Sequence, residues 1–340
     1  MELFLTHKSA LEYWRLHGLQ GTAHESARRS RKRTVPGYPP AASALSQADL
    51  RGLTLPLDVT VGNKNARRTS CMVRSHVLSE LLPEGCFVDI GNGLFVSSPE
   101  FCFFQMASGL KLAKAVELGL ELCGSYSLLG NNSARAEVES ISGAAIVGEE
   151  NQESVRRKGF YKRPPLTSAK KLGALATRMA GMNGLQQVDK VLPYITDGSA
   201  SPMETILVIL LSLPYRMGGY GLPLPEMNIR INLSKTVKTS ASKAYYVCDL
   251  FWPKVNIAAE YDSDTFHTGA DRIASDSKRR NTLASAGLVV ITVTNQQIRS
   301  VIEFEKVAKL LARNMGRRLQ YHDNPKFLEL RQQLRGMLLV

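Results

Sequence analysis

Two short apolar runs meet at Trp252-Pro253-Lys254: Asp249-Leu-Phe-Trp252 before the break, and Val255-Asn-Ile-Ala-Ala-Glu260-Tyr-Asp262 after it. Both read as strands, and each carries acid where a buried strand has no use for a charge. A hairpin turning near Lys254 and Val255 sets Asp249 almost opposite Glu260. Side chains alternate between faces along a strand, so Glu260 and Asp262 project the same way, roughly 6–7 Å apart. Three carboxylates then crowd one patch. Uncompensated buried charge is costly, so the pattern calls for a bound cation, and hard oxygen ligands suit Mg²⁺ or Mn²⁺. The structural alternative is that Asp249 is a satisfied core acid, with Glu260 and Asp262 paired to Arg279 and Lys278.

The residues around these runs set the order of elements. Ser201-Pro202-Met203-Glu204 opens a helix apolar on all sides, ending before Pro214, which predicts burial. Strands are expected near 228–234, 244–251 and 255–262, then a helix over Asp271–Ala286 with Gly287 as its stop. A strand over Leu288–Thr294 and a final helix from about Gln296 complete the series. A strand, a helix and a further strand describe a right-handed parallel crossover. The predicted class is therefore mixed α/β, a sheet covered by helices.

Several residues have both a chemical and a structural reading. Ser201-x-x-Glu204 with Pro202 at the first helical position is a capping box; a helix glutamate placed there also completes the metal shell of many nucleases. His267 has the pKa range of a general acid or base, or is an inert loop histidine. Lys278, Arg279 and Arg280 on the crossover helix contact phosphates or steady the carboxylates. Gln297 reaches DNA or a metal-bound water, or caps the last helix. Two or three carboxylates around a divalent ion supply what phosphodiester hydrolysis requires, an activated water and relief of charge on phosphorus.

The first half reads differently. A helix is expected over 8–18, then the basic run Arg28-Arg29-Ser30-Arg31-Lys32-Arg33, either a phosphate-binding arm or a solvated loop. Short strands alternate from Leu55 to Ser98, with Gly91-Asn92-Gly93 as a hairpin turn. One helix is expected from about Pro99 to Cys123, a loop over 129–166, and two helices near 168–182 and 184–194. The expected divisions are 1–54, a helix and basic linker; 55–196, a smaller α+β domain; 197–320, the acid-bearing domain; and 321–340, a helical extension.

The chain's 43 Lys and Arg against 30 Asp and Glu give +13. Residues 201–340 carry +7 of this and the remainder +6, so neither half is a basic tail. That balance favours a polyanionic partner, nucleic acid first. Five cysteines without a C-x-x-C pair argue against a disulfide framework or zinc site and fit a reducing cytoplasm. No apolar run approaches the ~20 residues of a membrane span, and no signal peptide is visible.

Ser201-Pro202-x-Glu204, Asp249-Leu-Phe-Trp252-Pro253, Glu260-Tyr-Asp262 with His267, and Asp276-x-x-Arg279-Arg280-Asn281 together resemble the very-short-patch-repair-like endonuclease domain, a branch of the PD-(D/E)XK superfamily. The resemblance covers about residues 200–315. It implies a restriction-endonuclease-like α-β-β-β-α-β core cleaving DNA with Mg²⁺ or Mn²⁺, with Asp249, Glu260, Asp262 and Glu204 at the metal and His267 beside it. Lys278, Arg279, Arg280 and Gln297 would face nucleic acid. Asp262 stands where many such nucleases place a lysine, and Ser263 where a glycine is usual. The first half more loosely resembles antitoxins of the abortive-infection type IV toxin–antitoxin system (AbiEi-like), through Arg67-Arg68, the His76-Val-Leu segment and Leu94-Phe-Val-Ser-Ser98-Pro99. These likenesses imply bacterial phage defence, a toxin–antitoxin pair with a cognate partner, or DNA-repair-like chemistry. The alternative is an antitoxin or regulator that uses the nuclease fold to bind nucleic acid without cutting it.

Overall fold

Leu3–Leu5 forms a fully buried strand, β1, in the middle of a sheet. The computed structural model describes residues 2–17, 28–39, 45, 50–78, 80–128, 159–232, 245–262, 283, 285, 287–319 and 325–339. The chain divides into two compact units, Met1–Ile195 and Thr196–Val340. Both are mixed α and β, and no helix among the described residues is long and apolar enough to cross a membrane.

In the first unit, α1 (His7–His17) follows β1 directly and buries Ala10, Leu11, Tyr13, Trp14 and Leu16. After it come β2 (Arg28–Arg29), β3 (Leu57–Val61), β4 (Val73–Val77), β5 (Phe87–Gly91) and β6 (Leu94–Ser97). The sheet order is β2-β5-β6-β1-β3-β4, with β1 parallel to β6 and antiparallel to β3, and β3 parallel to β4. Gly91, Asn92 and Gly93 turn the β5–β6 hairpin, all at positive φ, the region Gly enters freely and Asn tolerates. Thr54 donates to both Glu12 carboxylate oxygens, so α1 and the stretch before β3 belong to the same body as the sheet.

The basic run is drawn into this body. Arg29 donates to both Glu100 carboxylate oxygens at 2.9 Å and to Gly85 O. Arg33 donates to Leu82 O, and Lys32 pairs with Glu2 over the Phe95 ring. These contacts commit Arg29, Lys32 and Arg33 to folding contacts, which weakens the run's reading as a phosphate arm.

The helix expected over Pro99–Cys123 is two: α2 (Pro99–Ala107), capped by Ser98, and α3 (Leu112–Leu122). The apolar pattern crosses the break, which hides it. At the break Ser108 Oγ donates to Gln105 O and Gly109 N to Met106 O, a side-chain bond that competes with helix continuation. Within the expected loop over 129–166, β8 (Phe160–Lys162) pairs with β7 (Tyr126–Leu128). Helices α4 (Ala169–Arg178) and α5 (Leu185–Val191) close the unit.

The second unit begins with α6 (Pro202–Ser212), all but its first residue buried. Four strands follow: β9 (Glu226–Asn232), β10 (Tyr245–Trp252), β11 (Ile257–Asp262) and β12 (Val289–Thr294), in the order β12-β11-β10-β9. The first three form an antiparallel meander, and β12 lies parallel to β11. Leu283 and Ser285, two described residues of the expected crossover helix, are helical. Leu283 is buried with Cys248, Ala258 and Leu288. Among the described residues three helices follow: α7 (Asn295–Arg299), α8 (Val301–Asn314) and α9 (Pro325–Leu338). Helix α9 is anchored here by Arg331, which donates to Glu305 and lies over the Tyr220 ring, and by Arg335, which donates to Ile298 O.

Candidate metal and nucleic-acid site

Strands β10 and β11 pair at Leu250↔Ala259, Phe251↔Ala258 and Trp252↔Ile257. One step further along this register stand Asp249 and Glu260. The hairpin turns at Pro253–Asn256, with Asn256 at φ 53° and its side-chain amide donating to Gly287 O at 2.5 Å. Tyr246, Cys248, Leu250 and Trp252 are the buried face of β10. Alternation therefore puts Asp249 on the other face, which it shares with Phe251, Ala258, Glu260 and Asp262. Asp249 and Glu260 are partly buried, and Asp262 is exposed at the end of β11.

Asp249 is held by backbone. Its Oδ2 accepts from Tyr261 N at 2.8 Å, just past the last paired residues of β10 and β11. The carboxylate thus serves a main-chain donor beyond the end of the β10–β11 ladder, and that fixes its position. On the far side β11 pairs with β12 at Glu260↔Thr292 and Asp262↔Thr294. The acid patch therefore sits where a hairpin meets a parallel strand. Among the described residues no three His, Cys, Asp or Glu side chains gather closely enough to hold a metal ion. The expected crowding of Asp249, Glu260 and Asp262 is in this structure a facing pair with the third acid one pleat away.

Glu204 is a cap. Its N–H donates to Ser201 Oγ, and Ser201 Oγ also lies 2.9 Å from Glu204 Oε1. Oε2 accepts from Ala200 N at 2.9 Å and from Asn228 Nδ2 at 2.6 Å. With both oxygens so engaged, the carboxylate braces the start of α6 against β9, and the structural reading describes its observed contacts. Gln297 is likewise a cap: Thr294 N donates to Gln297 Oε1 and Gln297 N to Thr294 Oγ1, a reciprocal capping box. His267, Lys278, Arg279 and Arg280 lie outside the described residues.

Asn228 is the residue that sequence reading passed over. It occupies φ 50° and donates to Gly198 O and to Glu204. Its only signal in the sequence is its type, since Asn accepts left-handed backbone better than other side-chain-bearing residues.

Comparison with known proteins gives relatives without assigned roles. The chain is 26% identical over 137 residues to the uncharacterized proteins MT2308 and Rv2248 of Mycobacterium tuberculosis, strains CDC 1551 / Oshkosh and ATCC 25618 / H37Rv. The match covers 40% of this chain and 45% of each relative, so the chain spans less than half the length of the curated relatives it matches. No family model matches the chain, and no solved structure does.

Proposed function

We propose that the second unit is a metal-dependent DNA endonuclease of the PD-(D/E)XK kind. The observation that carries this reading is the placement of Asp249 and Glu260 at facing positions of β10 and β11. They lie within the series α6, β9-β10-β11 meander, helical residues, parallel β12 and α7. Carboxylate oxygens on neighbouring strands suit Mg²⁺ or Mn²⁺. Asp249 and Glu260 would hold the ion, with Asp262 beside them. Once bound, the ion supplies a water of lowered pKa and neutralises charge on the phosphoryl oxygens.

The chain's own groups do the positioning. The Tyr261 N–H fixes Asp249, and the Glu204 brace sets α6 against β9. Lys278, Arg279 and Arg280 are the cations we assign to DNA phosphates, with Gln297 at the strand's edge. The biological setting we favour is phage defence, a toxin–antitoxin pair or DNA repair.

One feature favours a second reading. Asp262 is an acid where a lysine would polarise the attacking water, so a fold that binds DNA without cutting it is the rival. Plasmid and single-stranded DNA incubated with Mg²⁺ or Mn²⁺ separate the two. Cleavage by the parent protein, reduced by about 100-fold or more in Asp249→Ala and Glu260→Ala, is the expected result. Salt-sensitive binding without cleavage, the same in parent and variants, would overturn the enzyme and establish the binding platform.

A further inference from the structure

A second group of titratable side chains lies in the first unit, on one face of the β3–β4 pair. The parallel register sets Asp58 beside Arg74 and Thr60 beside His76, and residues two apart on a strand share a face. Asp58 is buried, 3% exposed, and its Oδ1 accepts from His76 Nε2 at 2.7 Å. Arg74 reaches the same oxygen only at 3.7 Å and is 53% exposed. The His76 side chain is 31% exposed, so this imidazole has one nitrogen fixed by a carboxylate while the ring meets solvent. A buried carboxylate behind a partly exposed imidazole fixes its ring orientation.

His7 completes the group. It joins β1 to α1 at φ 47°, a left-handed backbone region that side-chain-bearing residues seldom enter. Its ring stacks on His76 with centroids 3.7 Å apart and planes 18° from parallel. Thr6 Oγ1 and His7 Nδ1 are 2.8 Å apart. Strain of this kind is commonest where function requires it. The Thr60 and Ser75 hydroxyls are buried and have no hydrogen-bond partner among the described residues. Thr60 lies on the face of Asp58 and His76, where a ligand oxygen or water would satisfy it.

The segment between β3 and β4 is cationic. Lys64, Arg67 and Arg68 are exposed on the segment that folds against β4. That segment is tied down by Ser75 N donating to Arg68 O at 2.8 Å and by the Thr69↔Arg74 bridge. Among the described residues none of these three side chains pairs with an acid. A structural Asp–His pair would not need an imidazole open to solvent.

We propose that Asp58, His76, His7 and Arg74 form a second binding site, which takes the phosphate group of a nucleotide or nucleic-acid strand. Arg74 and the Lys64–Arg68 segment contact the phosphate oxygens. His76 shares a proton with one of them, Asp58 positions His76, and the Thr60 hydroxyl takes part from the floor. This site belongs to the first unit, and it does not depend on the Asp249–Glu260 pair of the second.

The test titrates the full chain with inorganic phosphate, with adenosine monophosphate, and with a short oligonucleotide bearing a 5′-phosphate or a 5′-hydroxyl. Histidine-ring NMR follows His76, and calorimetry gives affinities. The expected result is movement of the His76 ring signals by adenosine monophosphate and by at least one oligonucleotide. Affinity should weaken about tenfold in Arg74→Ala and in His76→Gln, the worth of one charge-assisted hydrogen bond. Tighter binding of the 5′-phosphorylated strand identifies a terminal phosphate; equal binding of both strands identifies the backbone diester. Unmoved His76 signals, or affinities unchanged in Arg74→Ala, would overturn the site. The exposure of Arg74 keeps that variant folded if His76→Gln is not. Asp249→Ala, run alongside, keeps the His76 shifts, so failure here is distinguishable from failure of the nuclease reading.

Discussion

His7 pays twice for its place. Its backbone is left-handed, and its ring is held neutral. Burial first, and then the neighbouring His76, lower its pKa to about 4, while Asp58 pulls the other way. Between about pH 4 and pH 6.5 the unfolded chain therefore holds a proton that the folded chain does not. Stability rises with pH through that window: the neutral ring carries no penalty above 6.5, and the penalty is complete below about 4. The shift corresponds to about 3 kcal/mol. His7→Asn keeps a residue tolerant of positive φ and removes the titration. In urea unfolding between pH 7 and about pH 4, the parent should lose about 3 kcal/mol more than this variant. Parallel pH profiles would show that His7 is not neutral in the folded chain. Nothing in the sequence marks His7 for this role, because strain and burial arise only when β1 inserts between β6 and β3. Glu204 was legible by contrast, since its cap is made with residues three and four positions away.

At the scale of elements, legibility followed how local the signal was. The β9–β10–β11 meander and β12 could be read from alternating apolar residues and the Trp252-Pro253-Lys254 break, and their observed limits differ from the expected ones by a few residues. The α2–α3 break and the short strands β1 and β8 were not legible. Each depends on a distant partner or on one side-chain bond that leaves the apolar pattern intact. Close packing of backbone is equally hidden, and glycine shows where it occurs. A Cβ at Gly219 would run into the Leu213 carbonyl at the end of α6, and one at Gly218 (φ 86°) into the Leu330 carbonyl on α9. Neither carbonyl can move without its helix. Gly219→Ala should cost roughly 3 kcal/mol or more in urea unfolding. Gly173→Ala, within α4 with nothing near the added methyl, should stabilise by about 0.5–1 kcal/mol. Equal effects of the two substitutions would refute the tight approach at Gly219.

For the molecule as a whole, the question is whether its two units unfold as one. The cysteines report on this without added labels, because no disulfide joins them and they are divided between the units. Cys71 is exposed, while Cys86, Cys102 and Cys123 are buried in the first unit and Cys248 in the second. Burial also raises the Cys86 and Cys102 thiols to about 12, which leaves almost no thiolate to react near neutral pH. A thiol reagent should therefore modify Cys71 quickly in the native protein and the other four only as urea opens their surroundings. Each unit has its own buried core, and destabilising one core should not open the other. Gly219→Ala should lower the urea midpoint for labelling Cys248 and leave that of Cys102 in place, read site by site by mass spectrometry. Midpoints that move together would mean a single cooperative molecule, and a second fast native thiol would contradict the packing around whichever cysteine it proved to be.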